Sequence, residues 1–275
     1  MTAVNTHDSG GIFDLTGRVA MVTGAAGWLG APMSWALAQA GATVVIVGRT
    51  EATLRDLAQS ASHHRLQLEA EPFDVQDPED CEELMRRVLA RHTRLDILIN
   101  NASSDVAGAK GLDAPDTAFS AAADMHCGVA WRLTNLALPG LRSAVGASGD
   151  ASVINIGSMY GKVSPDPQVY KMTGQPPNPA YYGAAKAAML QMTRWLACRL
   201  GPEKIRVNSI SPGAFPQWSA RKRVPDFVDE LDRKTPLGRV GNRHEIVGPV
   251  IFLASIASSY VHGADIAVDG GWTAW

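Results

Sequence analysis

The chain has 275 residues, 46% of them hydrophobic, with 25 Lys and Arg against 27 Asp and Glu, a formal net charge of −2. That length and composition suffice for one large buried core, and the faintly acidic balance argues against a nucleic-acid partner, which needs a basic surface to displace counterions from phosphate. No apolar run reaches membrane-spanning length, and Cys81, Cys127 and Cys198 lie far apart with no ligand spacing, so no membrane span, no disulfide framework and no metal are expected.

In chain order, residues 1–11 (MTAVNTHDSGG) are polar and glycine-containing, lack the build of a signal peptide and read as a disordered tail of a cytoplasmic protein. Short β-branched runs then alternate with helical patterns: VAMVTG, PMSWALAQAG, TVVIVGR, an amphipathic stretch through Leu84 to Leu89, LDILINNA, and later SVINIGS and IRVNSISPG. This alternation predicts an α/β fold, a single Rossmann-type doubly wound parallel sheet with helices on both faces, over one domain spanning 1–275. Residues 162–180 hold the densest Pro and Gly, and read as an active-site insertion; 214–235 read as a substrate loop.

Between the first strand and its helix stands TGAAGWLG, Thr23 to Gly30. Glycines at 24, 27 and 30 suit a tight turn that lets backbone approach a pyrophosphate at a helix N-terminus, although such a turn also serves merely to join strand to helix. After the second strand, where a carboxylate would bind the ribose 2′-hydroxyl of NAD, stand Gly48 and Arg49. An arginine pairs with a 2′-phosphate and a carboxylate repels it, so NADP(H) is favoured over NAD(H), the other candidate. Arg49 also fits a solvated loop cation.

Tyr182 and Lys186, in YGAAK, share one helix face, and an ammonium nearby favours phenolate, bringing an ordinary pKa of about 10 toward neutrality. Alone, the spacing also fits a surface helix pair. Tyr181 has no lysine four residues on and is expected to pack. Ser158 ends a strand at the carboxyl edge of the sheet, where ligands of such folds bind, yet a lone serine there is also an ordinary turn residue.

Taken in order, TGAAGWLG, NNAS at Asn100 to Ser103, Ser158, YGAAK, SPG at Ser211 to Gly213 and VDGG at Val268 to Gly271 resemble the short-chain dehydrogenase/reductase family, from about Leu15 to Gly271. The resemblance implies that Tyr182 is the catalytic acid/base, Ser158 positions the carbonyl, and Lys186 binds the nicotinamide ribose and acidifies the tyrosine. It puts Thr23, Gly24, Gly27, Trp28, Leu29 and Gly30 at the pyrophosphate, Asp74 and Val75 by the adenine, and Asn101, Ala102 and Ser103 along the cofactor groove. Pro212, Gly213 and Phe215 would flank the nicotinamide. The segment from Pro236 to Gly263 resembles the family's oligomer interface, implying a homotetramer or homodimer.

Three positions depart from the family pattern. Trp28 stands where many members have glycine, His126 aligns with the helix asparagine that holds a relay water, and Gln217 stands in place of a threonine. The histidine fits a proton relay or a packed side chain. The long stretch between Ser158 and Tyr182 resembles the gluconate 5-dehydrogenase-like subgroup. Lys162, Lys171, Tyr160 and Tyr170 in or beside the insertion, with Arg221, Lys222 and Arg223 later, then suggest an anionic or polyhydroxylated small-molecule substrate. These charges fit solvated loop residues as well. The leading expectation is a sugar, sugar-acid or polyol oxidoreductase; the others are a 3-oxoacyl-thioester reductase and a non-catalytic cofactor-binding regulator. Trp35 and Trp195 are expected in the core or an interface.

Overall fold

The structure is a computed structural model that describes residues 11–104 and 114–275. The residues read as a disordered tail lie outside the described residues as far as position 10. Gly11, the last of that stretch, opens a short 3₁₀ turn, Gly11–Phe13.

Strands and helices alternate: β1 (Val19–Thr23), α1 (Gly30–Gln39), β2 (Thr43–Gly48), α2 (Glu51–Ser62), β3 (Leu68–Pro72), α3 (Pro78–His92), β4 (Ile97–Asn100), α4 (Asp116–Ala123), α5 (Val129–Ser148) and β5 (Ala151–Ile156). There follow α6 (Pro167–Thr173), α7 (Ala180–Leu200), β6 (Ile205–Pro212), α8 (Trp218–Arg223), α9 (Pro225–Lys234), α10 (Val247–Ala254) and β7 (Asp265–Val268). The seven strands form one sheet in the order β3-β2-β1-β4-β5-β6-β7, every pair parallel. The expected doubly wound α/β sheet is thus observed.

Every residue of β1, β4, β5 and β6 is buried, because helices cover both faces. Side chains alternate along each strand. On one face Val19, Met21, Val45 and Leu98 pack under Leu84 and Val88 of α3, Leu133 of α5 and Leu196 of α7. On the other, Ala20, Val22, Ile46 and Ile99 meet Met33 and Leu37 of α1, Leu54 of α2 and Leu253 of α10. Burying a leucine or isoleucine in these layers contributes about 1.5–3 kcal/mol, and β1, inside the sheet, is held by strands on both sides, Val22 facing Ile46 and Ile99.

Local signals end the helices where the sequence supplies them. Asp77 caps α3 by accepting from the Glu79 and Asp80 amides, Pro78 follows, and Thr93 closes the helix at φ +58°. By contrast α1 begins after Leu29 with no capping side chain; the Ala31 amide turns back to the Gly27 carbonyl at 3.0 Å, and Pro32 carries no amide. Among the described residues no helix is long and apolar enough to cross a membrane.

The 162–180 insertion is not a loop throughout: Asp166 caps α6 by accepting from the Gln168 amide, and Gly174 ends it at φ +64°. The 214–235 segment is largely helical, containing α8 and α9. An ion pair between Lys234 and Asp166 joins the two segments.

Candidate active site

A cleft of about 580 Å3 runs along the carboxyl ends of the strands, from Arg49 and Asp74 at one end to Ser158 and Tyr182 at the other. The order reversal between β1 and β4 creates it, because the helices after those strands leave to opposite faces of the sheet.

At its floor lies the glycine turn. Gly24 has φ +63°, and a Cβ there would stand 3.0 Å from the Ala102 Cα. At Gly30 a Cβ would stand 2.1 Å from the Gly24 carbonyl oxygen, so only glycine lets α1 start this close beneath the turn. Gly24, Gly27, Trp28, Leu29 and Gly30 line the cleft. Thr23 does not. It is buried, and its Oγ1 accepts from the Asn101 and Ala102 amides, 3.0 Å each, while donating to the Ile99 carbonyl at 3.3 Å. Thr23 therefore belongs behind the cradle, holding β4's exit against the turn. Asn101 reinforces the join, its Nδ2 donating to the Thr23 and Gly24 carbonyls at 2.8 and 3.1 Å.

Gly48 and Arg49 lie where β2 ends, Arg49 exposed on the cleft rim with Thr50 and Thr53 beside it. Asp74 and Val75 line the neighbouring wall, where the Asp74 Oδ1 accepts from the Gln76 amide at 3.0 Å. Ala102, Ser103, Pro212, Gly213 and Phe215 complete the walls. Thr50, Thr53 and Gln76 are additions to the sequence reading, legible only as neighbours of Arg49 and Val75.

Ser158, Tyr182 and Lys186 line the other end, and His126 lies against Tyr182 without lining the cleft itself. Ser158 leads out of β5 into a 3₁₀ turn, Met159–Gly161, its Oγ accepting from the Tyr160 amide at 3.1 Å. That contact occupies one lone pair and leaves the hydroxyl proton for another partner. Helix α7 approaches this turn closely, since a Cβ at Gly183 would lie 2.9 Å from the Tyr160 carbonyl oxygen. One turn of α7 then sets the Lys186 Nζ 5.9 Å from the Tyr182 ring centroid. Lys186 is 3% exposed and donates to the Ile156 carbonyl at 2.8 Å. Burial pushes its pKa down to about 8, so the ammonium is the main form at neutral pH.

Below them, Asn100 Nδ2 donates to Asn155 Oδ1 at 2.8 Å and Asn155 Nδ2 to Thr193 Oγ1 at 2.9 Å, fastening β4, β5 and α7 at one depth.

His126 occupies a π-helical turn, Asp124–Gly128, between α4 and α5, a distortion frequent at functional sites. Its ring meets the Tyr182 ring edge-on, centroids 5.2 Å apart. It is 2% exposed, and its Nδ1 has no hydrogen-bond partner among the described residues. Burial first, and then the Lys186 charge, lower its pKa to about 4, which keeps the imidazole neutral at pH 7. Tyr181 is buried against Phe119, packed as expected.

Several residues read as substrate-facing lie elsewhere. Tyr160 and Tyr170 are buried with hydroxyls 2.7 Å apart, joining the insertion to the Ser158 turn. Lys162 pairs with Asp265 at 2.5 Å, and Arg221 with Asp229 and Asp232 at 3.2 and 2.8 Å. Lys171, Lys222 and Arg223 stay exposed. Gln217 is the exposed residue before α8 and does not line the cleft. Trp35 packs on the core and on His64, but Trp195 is half exposed, tilted against Trp131 with centroids 5.6 Å apart.

Residues 24–273 match the family model described as Enoyl-(Acyl carrier protein) reductase, of the short-chain dehydrogenase type. The rhamnolipids biosynthesis 3-oxoacyl-[acyl-carrier-protein] reductase of Pseudomonas aeruginosa is 32% identical over 262 residues, 94% of this chain and 98% of that one. Among solved structures, the P. aeruginosa RhlG/NADP active-site complex superposes with a TM-score of 0.84 at 31% identity, covering 95% of this chain and 98% of the other. A gluconate 5-dehydrogenase from Burkholderia cenocepacia, in complex with NADP and tartrate, superposes with a TM-score of 0.83 at 28% identity, covering 96% and 98%. The chain belongs to the short-chain dehydrogenase/reductase family, oxidoreductases that act on CH–OH groups.

Proposed function

We propose that the protein interconverts a secondary alcohol and a ketone with NADP(H), on a compact hydroxyl-rich substrate such as a sugar, sugar acid or polyol. The observation that carries the proposal is the meeting of Ser158, Tyr182 and Lys186, with His126 against Tyr182, at one end of the cleft whose other end is the glycine turn and Arg49.

The residues present fit a dinucleotide. The turn is clear of side chains where a Cβ would clash, α1 starts without a capping side chain, and no carboxylate stands at the end of β2. Backbone at Gly24, Gly27, Leu29 and Gly30 would hold the pyrophosphate, Arg49 the 2′-phosphate, and Asp74 and Val75 the adenine. Asn101, Ala102, Ser103, Pro212, Gly213 and Phe215 would line the remainder, with Lys186 at the ribose. Bound there, the nicotinamide supplies or accepts the hydride.

The protein's own groups manage the proton. In reduction Ser158 donates its free hydroxyl proton in a hydrogen bond to the substrate oxygen, and Tyr182 transfers its phenolic proton to that oxygen. The Lys186 ammonium stabilises the phenolate that results. Neutral His126, edge-on to Tyr182 and with Nδ1 unpaired among the described residues, takes part in returning the proton. Oxidation reverses these roles.

The likeness to the gluconate 5-dehydrogenase solved with NADP and tartrate supports a small hydroxylated substrate. Paired Lys162 and Arg221 favour few negative charges on the substrate over many. The 3-oxoacyl-[acyl-carrier-protein] reductase relative favours a thioester instead, and the assay separates the two. Absorbance of reduced nicotinamide is followed with NADP and NAD against aldonates, sugars, polyols and oxoacyl thioesters. The expected result is turnover on a hydroxylated substrate with NADP preferred, cut by about 10²- to 10⁴-fold in Tyr182→Phe. Turnover on thioesters alone overturns the substrate class, NAD preference overturns the part given to Arg49, and cofactor binding with no turnover leaves a regulator.

We further propose that the protein is one domain and works in the cytoplasm as a homodimer or homotetramer. The half-exposed Trp131 and Trp195 rings support assembly, and sedimentation of the purified protein tests it.

A further inference from the structure

In place of a glycine in the phosphate turn, Trp28 carries a large side chain across to a different part of the chain. Its indole Nε1 donates to the Phe215 carbonyl at 2.9 Å, 187 residues away. The Arg243 guanidinium lies over the ring, 4.8 Å from its centroid, and Trp218 meets it edge-on with centroids 6.2 Å apart. The socket is itself braced. The Gly241 amide donates to the Ala214 carbonyl at 2.9 Å, the Phe215 ring sits where a Cβ on Gly241 would be 2.6 Å away, and Asn242 and Glu245 close a reciprocal cap around Arg243. Trp28, Phe215 and Gly213 all line the cofactor cleft, so this bridge crosses the cleft's wall.

We propose that Trp28 is a positioning residue: it pins the segment from Gly213 to Trp218 against the phosphate turn, so that this wall of the cofactor cleft is already in place before the dinucleotide arrives. The proposal rests on the dinucleotide reading above. A wall that is pre-formed removes an ordering cost that binding would otherwise carry, and affinity rises accordingly. The tryptophan does this with one directional hydrogen bond, a cation–π contact and an edge contact, each a feature that glycine lacks.

Trp28→Gly removes all three contacts, and Trp28→Phe keeps a ring for Arg243 and Trp218 while losing the N–H donor. Two readouts are made on the purified full chain. In the cofactor-free protein, amide hydrogen exchange is followed in residues 213–220 and, as a reference, in β1 and β5. In a separate titration, NADPH affinity is read from nicotinamide fluorescence, without any substrate. The expected outcome is exchange in 213–220 faster by about tenfold in Trp28→Gly with the strands unchanged, NADPH affinity lower by about tenfold, and Trp28→Phe between the two. Unchanged exchange in 213–220 in both variants overturns the proposal, as does NADPH affinity equal to or above that of the unaltered protein. Should Trp28→Gly not fold, Trp28→Phe alone decides on the same two readouts. Failure of the functional reading looks different: the unaltered protein then binds no NADPH, while the exchange measurement still judges the bridge.

Discussion

Acidification should weaken this protein through His126. The ring is buried to 2% exposure and its pKa falls to about 4 from an ordinary 6.5, chiefly through burial and then through the Lys186 charge. Between those two values the unfolded chain binds a proton that the folded one refuses, so stability is fully present above about pH 6.5, declines as pH falls, and stops declining below about pH 4. At pH 5 the loss is about 2 kcal/mol, and across the whole window about 3 kcal/mol. Urea unfolding followed by tryptophan fluorescence at pH 7.5 and pH 5 measures it, provided the unaltered protein is compared with His126→Asn, which has no titrating ring. Carboxylates titrate alike in both proteins and cancel in the difference. The stability gap between the two should therefore move by about 2 kcal/mol toward the variant at the lower pH. A gap that stays constant between the two pH values would refute the reasoning and place His126 in contact with water or an acidic partner.

Three other substitutions probe the cleft. Gly30→Ala sets a methyl 2.1 Å from the Gly24 carbonyl and 2.9 Å from the Ala25 Cα, both backbone, so it should cost about 1–3 kcal/mol in thermal unfolding and weaken NADPH binding; an unchanged melting temperature would show that the turn relaxes freely. Arg49→Glu should lower kcat/KM with NADP by about 10- to 100-fold while sparing NAD, the worth of charged hydrogen bonds to a phosphate. Equal losses with both cofactors would remove Arg49 from 2′-phosphate recognition. Lys186→Met should leave thermal stability at pH 7 equal or higher, because burying the ammonium has already pushed its pKa down to about 8, while turnover falls by about 10²-fold or more. Lower stability in that variant would mean the hydrogen bond to Ile156 outweighs the burial.

The alternation of apolar strands with helical stretches, the glycine spacing from Gly24 to Gly30, and the four-residue step from Tyr182 to Lys186 are all legible in the amino-acid sequence. Each is a local property: strand and helix periods, the steric demand of one turn, and one turn of a helix. Ser158 was readable for a related reason, because the position at which a parallel strand ends also places its last side chain at the ligand edge. The position of His126 could be aligned, but its neutral state could not, since that follows from burial beneath α7 and from Lys186, 60 residues later in the chain.

What the chain by itself determined, then, is the doubly wound sheet and the residue types at each end of its cleft, because these depend on interactions spanning a few residues. Tertiary structure alone decided which charges and hydroxyls remain available. Lys162 is taken by Asp265, Arg221 by Asp229 and Asp232, the Tyr160 and Tyr170 hydroxyls by each other, and Thr23 by the amides beyond β4. Trp28 finds its partners at Phe215, Trp218 and Arg243. Most of these partners come from separate strand–helix units, and a side chain's nearest opposite charge or acceptor is set by how those units pack, which no spacing along the chain records.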